Sequence, residues 1–221
     1  MKDPIKILCY GDSNTWGFTP GSGVRFDKET RWPSLLQKEL GDGYEVIEDG
    51  IIGRTTIYDD PVNPYRNGLK GLGYSLQTHC PIDLVVLFLG TNDMQFTNLA
   101  GTIRGIKELL RTLKNANTIF TGSTLLFRTE PRVILVAPPA LHDDHDLKRP
   151  DTAMCGRVED SRRFGEVFRQ IAPTYGAAFL DAADVAEASA VDCIHMDAES
   201  HRRLAPFIAK EVLRIMEGEN Q

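Results

Sequence analysis

Ser13, Asp192 and His195 are the residues of this chain whose types could together carry out nucleophilic chemistry. A serine hydroxyl becomes a strong nucleophile only when a nearby base removes its proton. A histidine three residues after an aspartate can be that base, because the carboxylate accepts from Nδ1–H and leaves Nε2 to take the serine proton. Each signal is weak alone, since Gly-Asp-Ser also favours a helix N-cap and Asp-x-x-His is typical of ordinary helix starts.

Two turns in the first half of the chain could bind the oxyanion that such chemistry creates. Gly90-Thr91-Asn92-Asp93 follows the apolar run LVVLFL, and an asparagine amide at a strand end can donate to a developing oxyanion. Gly53 follows another apolar run, and because it has no Cβ its backbone N–H can approach the same oxygen. Glycine, asparagine and aspartate are also common turn residues, so a structural role stays open for both turns.

Apolar runs that alternate with helical periodicity must position these residues. The predicted strands are Ile5–Tyr10, Tyr44–Glu48, Leu84–Leu89, Val133–Ala137 and Ala178–Leu180, and the predicted helices are Trp32–Leu40, Leu99–Leu113, Ser161–Tyr175 and Glu199–Met216. This alternation predicts an α/β fold with one doubly wound, five-stranded parallel sheet between two helical layers. Right-handed crossovers place all carboxyl ends of the strands at one edge, so the residues that follow the strands should meet there: Ser13, Gly53, Asn92 and Pro138.

Three segments fit this alternation poorly. Residues 54–80 and 139–157 are rich in loop-forming residues and are predicted to be mostly loop. Loops of this length usually serve function or assembly. Asn115–Glu130 is predicted to form a short hairpin excursion. Since no repeat or linker interrupts the pattern, the 221 residues are expected to fold as one domain, 1–221.

Composition excludes several classes of partner. A formal net charge of −6 without a basic patch argues against nucleic acid, and no apolar run approaches the roughly 18 residues needed to span a bilayer. The N-terminal apolar stretch is too short for a signal peptide. The four cysteines show no CxxC pairing, so we expect reduced thiols in the cytoplasm. His142–Asp146 could hold a metal, but such polar clusters are more often solvated, and no metal is predicted.

The ordered set of motifs resembles the SGNH (GDSL-type) hydrolases, a family named after its Ser, Gly, Asn and His. Ser13 lies in GDSN, Gly53 in the loop after the second strand, Asn92 in GTND, and Asp192 and His195 in DCIH. These motifs run in family order over residues 11–195. The stretches ILCYGDSNTWG, VIEDGIIGRTTIYDDP and NPYRNG are most similar to the arylesterase/acyltransferase branch.

Two positions depart from the family pattern. Asn14 stands where a leucine commonly follows the serine, which should change local packing. Ile52 stands where close relatives often carry serine, so a polar contact near the oxyanion site would be missing. Hydrolysis is therefore a firmer expectation than acyl transfer.

The resemblance implies a flavodoxin-like SGNH hydrolase fold and a serine esterase that cleaves small aryl, alkyl or acetyl esters through an acyl-enzyme. It implies Ser13 as nucleophile, His195 as base and Asp192 as the residue that orients the base. The backbone N–H groups of Ser13 and Gly53 and the side chain of Asn92 would form the oxyanion hole. The candidate substrate-binding residues are Asp12, Trp16 and Thr91.

The resemblance also implies a homo-oligomer, without a cofactor, that acts on a small-molecule ester. A carbohydrate O-deacetylase or a thioesterase could use the same residues and stays an alternative. A nucleotide-binding or flavin-binding module is less favoured, because the first turn is acidic and lacks G-x-G-x-x-G. A purely structural assembly protein, with residues 54–80 as its contact, is the third class considered.

Overall fold

Five parallel β-strands form the centre of the fold in a computed structural model, which describes residues 3–119, 125–143 and 154–218. The strands are β1 (Ile5–Gly11), β2 (Tyr44–Gly50), β3 (Leu84–Phe88), β4 (Val133–Ala137) and β5 (Ala178–Asp181). They pair in the order β2-β1-β3-β4-β5, all parallel. This is the doubly wound order of flavodoxin-like sheets, so the predicted fold class and its five strands are confirmed.

Helices cover both faces of the sheet. They are α1 (Ser13–Trp16), α2 (Trp32–Leu40), α3 (Gly68–His79), α4 (Leu99–Lys114), α5 (Ala116–Ile119), α6 (Val158–Arg162), α7 (Phe164–Ile171) and α8 (Ala198–Glu217). Residues of α2 and α8 share one buried cluster with one face of the sheet. Residues of α3, α4 and α7 share a second cluster with the other face, which gives the three layers that a parallel sheet requires.

Residues 54–80 contain helix α3, so the expectation of mostly loop is wrong for Gly68–His79. The glycine and proline content of this segment favours a loop, and for this reason the prediction failed there. Leu69, Leu72 and Leu76 nevertheless have the spacing of one helix face, and the latter two are fully buried. The Asn67 side chain caps the helix by accepting from the backbone N–H of Lys70. Tertiary burial of the leucine face therefore overrides weak helix propensity.

Two other expectations need correction. Within the described part of Asn115–Glu130, the chain forms helix α5 and a parallel bridge between Ile82 and Phe127 rather than a hairpin; residues 120–124 lie outside the described ranges. The predicted helix Ser161–Tyr175 is divided into the end of α6, then α7 and a 3₁₀ turn over Ala172–Tyr175. Pro173 in that turn has no N–H for a continuing α-helix.

The described ranges contain no helix that is both long and apolar enough to cross a membrane.

Strand β1 connects to β2 on one side and the chain then returns to β3 on the other side. Open α/β sheets bind ligands outside the carboxyl ends of the strands at such a switch point. The segments that follow β1, β2 and β3 meet at this point and contain the predicted functional residues.

Candidate active site

Ser13 begins helix α1 directly after the end of β1, in a segment that we call the nucleophile turn (residues 11–16). The helix is capped by Asp12, whose Oδ1 accepts the backbone N–H of Asn14 at 2.9 Å. Capping is the structural role that a serine in this turn could have filled. Because Asp12 fills it, the Ser13 hydroxyl is not needed to hold the turn together.

Two glycines allow the nucleophile turn to rest directly on the sheet. A Cβ on Gly50, at the end of β2, would lie 2.2 Å from the backbone nitrogen of Trp16. A Cβ on Gly11 would lie 1.9 Å from Thr15 Oγ1. Both distances are far below van der Waals contact, so only glycine fits at either position. Backbone packing therefore fixes the place of Ser13.

Asp192 and His195 lie in a second segment, residues 188–197, which we call the histidine loop. His195 Nδ1 donates to Asp192 Oδ2 at 2.8 Å. The other carboxylate oxygen of Asp192 accepts the backbone N–H groups of Ile194 and His195 at 3.1 and 3.0 Å. Cys193, which follows Asp192 in this loop, has a left-handed φ of 65°, a rare conformation for a residue other than glycine. Helix α8 has its own cap, Asp197, so Asp192 is not occupied as a helix cap.

The two segments meet at the reactive atoms. Ser13 Oγ lies 3.0 Å from His195 Nε2, and with Nδ1 bonded to Asp192 this nitrogen can accept the hydroxyl proton. Burial raises the pKa of Asp192, but its hydrogen bonds with His195 outweigh that effect and leave the pKa below its usual value. The carboxylate therefore stays charged where it can stabilise an imidazolium. The structure thus brings together Ser13, His195 and Asp192 in the order that the sequence predicts.

Asn92 lies where the segments after β1, β2 and β3 converge. Its Nδ2 is 3.2 Å from the carbonyl oxygen of Arg54 and 3.3 Å from Asp12 Oδ2. Its Oδ1 accepts from Gln95 Nε2 at 3.1 Å, which fixes the orientation of the amide. The two N–H groups of the Asn92 amide therefore contact neighbours of the other two predicted oxyanion donors, because Asp12 precedes Ser13 and Arg54 follows Gly53.

Gly53 adopts a φ of 76°, which explains the glycine in this turn. In the part of the chain that the structure describes, the backbone N–H groups of Ser13 and Gly53 have no hydrogen-bond acceptor. Donors without acceptors beside a nucleophile are what an oxyanion hole requires.

Arg54 organises this junction and was missed by the sequence argument. Its buried guanidinium donates to the carbonyl oxygens of Gly11 and Asp49 at 2.9 and 2.6 Å, and to Asp49 Oδ1 at 2.7 Å. The same group lies 3.9 Å from the ring centre of Tyr10. One side chain therefore joins the ends of β1 and β2. An arginine inside a glycine-rich turn and close to an acidic residue was the available signal.

Each of the two turns contains one buried carboxyl group, Asp12 in the nucleophile turn and Asp93 in the turn of Asn92. Burial raises the pKa of Asp93 to about 7, although hydrogen bonds from Thr56 oppose the shift. Burial likewise raises the pKa of Asp12 to about 6, against the Asn14 hydrogen bond and the attraction of His195. Asp93 accepts from the Thr56 backbone N–H at 2.7 Å and from its hydroxyl, so it anchors the turn that carries Asn92.

The candidate substrate-binding residues differ in their surroundings. Asp12 and Thr91 are buried, and both oxygens of Asp12 face protein donors. Trp16 is half-buried, with the Arg25 guanidinium 5.2 Å from its ring centre. Phe18 stacks on the His195 ring at a centroid distance of 4.0 Å. The aromatic residues are therefore better placed to meet a substrate, while Asp12 positions Asn92.

Two other histidines, His201 and His142, lie outside the reactive group. His201 in α8 is fully buried, its Nδ1 accepts the Trp32 N–H at 3.3 Å, and burial lowers its pKa to about 4. His142 donates its backbone N–H to the Cys193 carbonyl oxygen at 2.9 Å. Residues 144–146 of the possible metal cluster lie outside the described ranges. Among the described residues, no three potential ligands cluster to hold a metal ion.

Comparisons with known proteins give a consistent set of relatives. A model of the GDSL-like lipase/acylhydrolase family matches residues 9–203. The structure resembles that of a carbohydrate acetylesterase family member from Sinorhizobium meliloti, with a TM-score of 0.86, 34% identity, and coverage of 97% of this chain and 99% of that one. It also resembles an aryl esterase from M. smegmatis, with a TM-score of 0.84, 31% identity, and coverage of 94% and 98%.

A curated relative adds a shorter match. An acetylxylan esterase from Xylanibacter ruminicola is 34% identical over 97 residues, which are 44% of this chain. The chain spans only 18% of the length of that protein.

Proposed function

This chain belongs to the GDSL-like lipase/acylhydrolase family, and from that premise we propose that it is a serine esterase that hydrolyses small carboxylic esters through an acyl-enzyme. The observation that carries the proposal is the continuous path from Asp192 Oδ2 through His195 to Ser13 Oγ, with contacts of 2.8 and 3.0 Å. In a Ser-His-Asp arrangement, a histidine at this distance takes the serine proton and the aspartate stabilises the imidazolium that forms.

In the first step, Ser13 Oγ bonds to the ester carbonyl carbon while its proton moves to His195 Nε2. The carbonyl oxygen becomes an oxyanion beside the N–H groups of Ser13 and Gly53. Breakage of the carbon–alkoxy bond then releases the alcohol, which takes the proton from His195. Asp192 stabilises the imidazolium that forms between these two proton transfers.

The Asn92 side chain supplies the third oxyanion donor. In the free protein its Nδ2 makes two long contacts, of 3.2 and 3.3 Å. A charged oxygen accepts a stronger hydrogen bond than a neutral carbonyl does. The developing oxyanion therefore competes well with the Arg54 carbonyl oxygen for one N–H of this amide, while the other N–H stays with Asp12 Oδ2, and the new contact strengthens as charge develops.

In the second step, water replaces the alcohol. Its proton passes to His195 Nε2, its oxygen bonds to the acyl carbon, and the bond between that carbon and Ser13 Oγ breaks as the proton returns to Ser13. An alcohol in place of water would give transesterification. Acyltransferase activity is thus a further part of the proposal, and it depends on access of an alcohol to the same site.

A carbohydrate O-deacetylase is the second candidate, and relatives support it specifically. One structural relative is a carbohydrate acetylesterase family member and one curated relative is an acetylxylan esterase. The half-buried Trp16 and the ring of Phe18 next to His195 offer flat apolar surfaces. Such surfaces suit both an aryl group, which has a flat face, and a sugar ring, which presents an apolar face of C–H groups.

A substrate panel separates these candidates. Purified protein would be assayed on p-nitrophenyl acetate, acetylated xylan oligosaccharides and acetyl-CoA, with Ser13→Ala as the blank. Turnover of the aryl ester alone supports the arylesterase reading, and faster turnover of the sugar esters supports the deacetylase. Turnover of acetyl-CoA alone, or an equal rate with the Ser13→Ala variant, would refute the proposed esterase.

Self-association and a cytoplasmic location complete the proposal. Val62, Tyr65 and Tyr74 are large hydrophobic residues that are more than half exposed within the segment 54–80, and exposed apolar groups of this kind favour a contact with another subunit. Light scattering of the wild type against Tyr74→Glu tests this, and a wild-type monomer would contradict it. The cytoplasm is proposed because none of the four cysteines, all of which lie in the described ranges, forms a disulfide, which is typical of a reducing compartment.

A further inference from the structure

Asn14 occupies the position that gives the GDSL motif its last letter, where this chain has asparagine in place of leucine. Its side chain is 3% exposed. The amide oxygen Oδ1 accepts the backbone N–H of Met196 at 2.9 Å. A leucine at this position has no acceptor, so it would leave the buried N–H of Met196 without this partner.

The Asn14 contact lies next to the reactive contact. Ser13 pairs with His195 and Asn14 pairs with Met196, so consecutive residues of the nucleophile turn meet consecutive residues of the histidine loop. Both contacts join segments that are 182 residues apart in sequence. The first contact is made by reacting atoms, whereas the second involves no atom that changes its bonds during the reaction.

We propose that Asn14 is a positioning residue that holds the histidine loop against the nucleophile turn while Ser13 carries the acyl group. The inference rests on the esterase function proposed above. In the free protein, the Ser13 hydroxyl donates to His195 Nε2. In the acyl-enzyme, Ser13 Oγ is bonded to the acyl carbon and has no proton to donate, so the reactive contact is lost. The Asn14 contact is unaffected by acylation and keeps the backbone beside His195 in place.

The second half of the reaction depends most on this contact. Water must lie between His195 Nε2 and the acyl carbon, so a small displacement of the imidazole slows its attack. Asp192 orients the ring but belongs to the same loop, and it moves with that loop. The hydrogen bond from the Ser189 N–H to the His195 carbonyl oxygen is also internal to the loop. Two further hydrogen bonds reach the loop from other segments, from the His142 N–H to the Cys193 carbonyl oxygen and from the Gly21 N–H to Asp192 Oδ2 at 3.4 Å, but neither starts in the nucleophile turn. Asn14 instead ties the loop to the turn that carries the acyl group.

The test compares Asn14→Leu with Thr112→Val. Thr112 is a buried polar residue of helix α4 and belongs to neither the nucleophile turn nor the histidine loop. The control therefore changes a buried polar residue without altering either of the two segments that meet at the reactive atoms. Steady-state kinetics on p-nitrophenyl acetate would be combined with the rate of Ser13 labelling by a fluorophosphonate and with intact mass of the protein during turnover.

For Asn14→Leu, we expect kcat to fall by about 10- to 100-fold. We expect kcat/KM and the labelling rate, which report attack by Ser13, to fall by less than about threefold, because the intact reactive contact positions His195 in the free enzyme. Acetyl-enzyme should accumulate during turnover. Thr112→Val should resemble the wild type in all three measurements.

An unchanged kcat in Asn14→Leu would overturn the inference. So would equal losses in kcat, kcat/KM and labelling, since that pattern indicates general loosening of the site. If Asn14→Leu fails to fold, Asn14→Ser decides by the same criteria, because its side chain is shorter and avoids an enlarged apolar group. A wild-type protein that is neither labelled at Ser13 nor active on esters would instead refute the proposed function itself.

Discussion

The nucleophile turn and the histidine loop meet at one pair of atoms but are held in place by different physical means. The nucleophile turn is buried from Gly11 to Thr15 and lies against backbone of the sheet, where Gly50 leaves no room for a Cβ. In the histidine loop, the side chains of Asp192 and His195 are 20% and 14% exposed. Hydrogen bonds within the loop, together with the Phe18 ring stacked on His195, fix their orientation.

This difference matches the demands on each residue. A nucleophile must stay in one place relative to the oxyanion donors, which close packing ensures because protein interiors resist displacement. A base must change its protonation state during each turnover, and partial exposure beside a charged partner stabilises both states. Loss of activity should therefore follow from lost polarity in the histidine loop and from added volume in the nucleophile turn.

The largest effect is expected for Asp192→Asn. The amide keeps the size of the side chain but lacks the charge, and it favours the wrong tautomer of His195. We expect kcat to fall by about 10⁴-fold, measured on p-nitrophenyl acetate. Asp184→Asn, which changes an exposed aspartate outside the histidine loop, is the control. A loss below tenfold for Asp192→Asn would mean that the hydrogen bonds of this loop do not serve the reaction.

A smaller loss is expected for Asn92→Ala, which removes one oxyanion donor. Such a donor contributes about 10²- to 10³-fold in kcat, and we expect a loss in that range with little change in KM. Gln95→Ala provides a graded comparison, because it removes only the contact that orients the Asn92 amide. Equal activity of Asn92→Ala and the wild type would exclude Asn92 from the oxyanion hole.

Added volume in the nucleophile turn is tested by Gly50→Ala. The new Cβ would overlap the Trp16 backbone nitrogen, so α1 must shift and carry Ser13 away from His195. We expect a loss of about 10²-fold in kcat/KM and a destabilisation of about 1–3 kcal/mol.

Gly43→Ala is the matched control for this substitution. A Cβ on Gly43 meets nothing within 4 Å, so this variant should keep the wild-type rate and melting temperature. If the two alanine variants behave alike, close packing does not position the serine.

The smallest effect concerns the pH dependence of stability. The pKa of Asp93 is raised by burial to about 7, so folding favours its protonated form and this group makes the protein less stable as pH rises from about 4 to about 7. Asp93→Asn should flatten that decline. The lowered pKa of Asp192 has the opposite sign: its contribution is present above the usual carboxyl pKa and is lost as pH falls through the lowered value.

Urea unfolding of the wild type and of Asp93→Asn between about pH 4 and pH 8 measures the slope that Asp93 contributes. The wild type should lose more stability than Asp93→Asn as pH rises across this range. A steeper decline for Asp93→Asn than for the wild type would contradict the account of this buried carboxyl group.

The sequence predicts the sheet well because its strands are buried on both faces and form continuous apolar runs, such as Leu84–Phe88. It fails for α3, where glycines lower helix propensity and only the contacts of Leu72 and Leu76 with the core compensate. Propensity is a local property, whereas this compensation comes from residues distant in the chain.

The same distinction applies to the site. Ser13, Asn92 and the Asp192–His195 pair were predictable because their types and turns have a recognisable chemistry. Arg54 and Asn14 were not predicted as organisers, since their partners are backbone groups far away in sequence. Asp12 was expected at the substrate, but burial of its carboxylate beside Asn92 became evident only from the structure.

The most direct test of the central claim is the reaction of the protein with a fluorophosphonate, followed by peptide mapping, in the wild type and in His195→Ala. The account predicts one adduct, on Ser13, and labelling at least about 10³-fold slower in the variant. An adduct on another residue, or equally fast labelling of Ser13 without the imidazole, would contradict it.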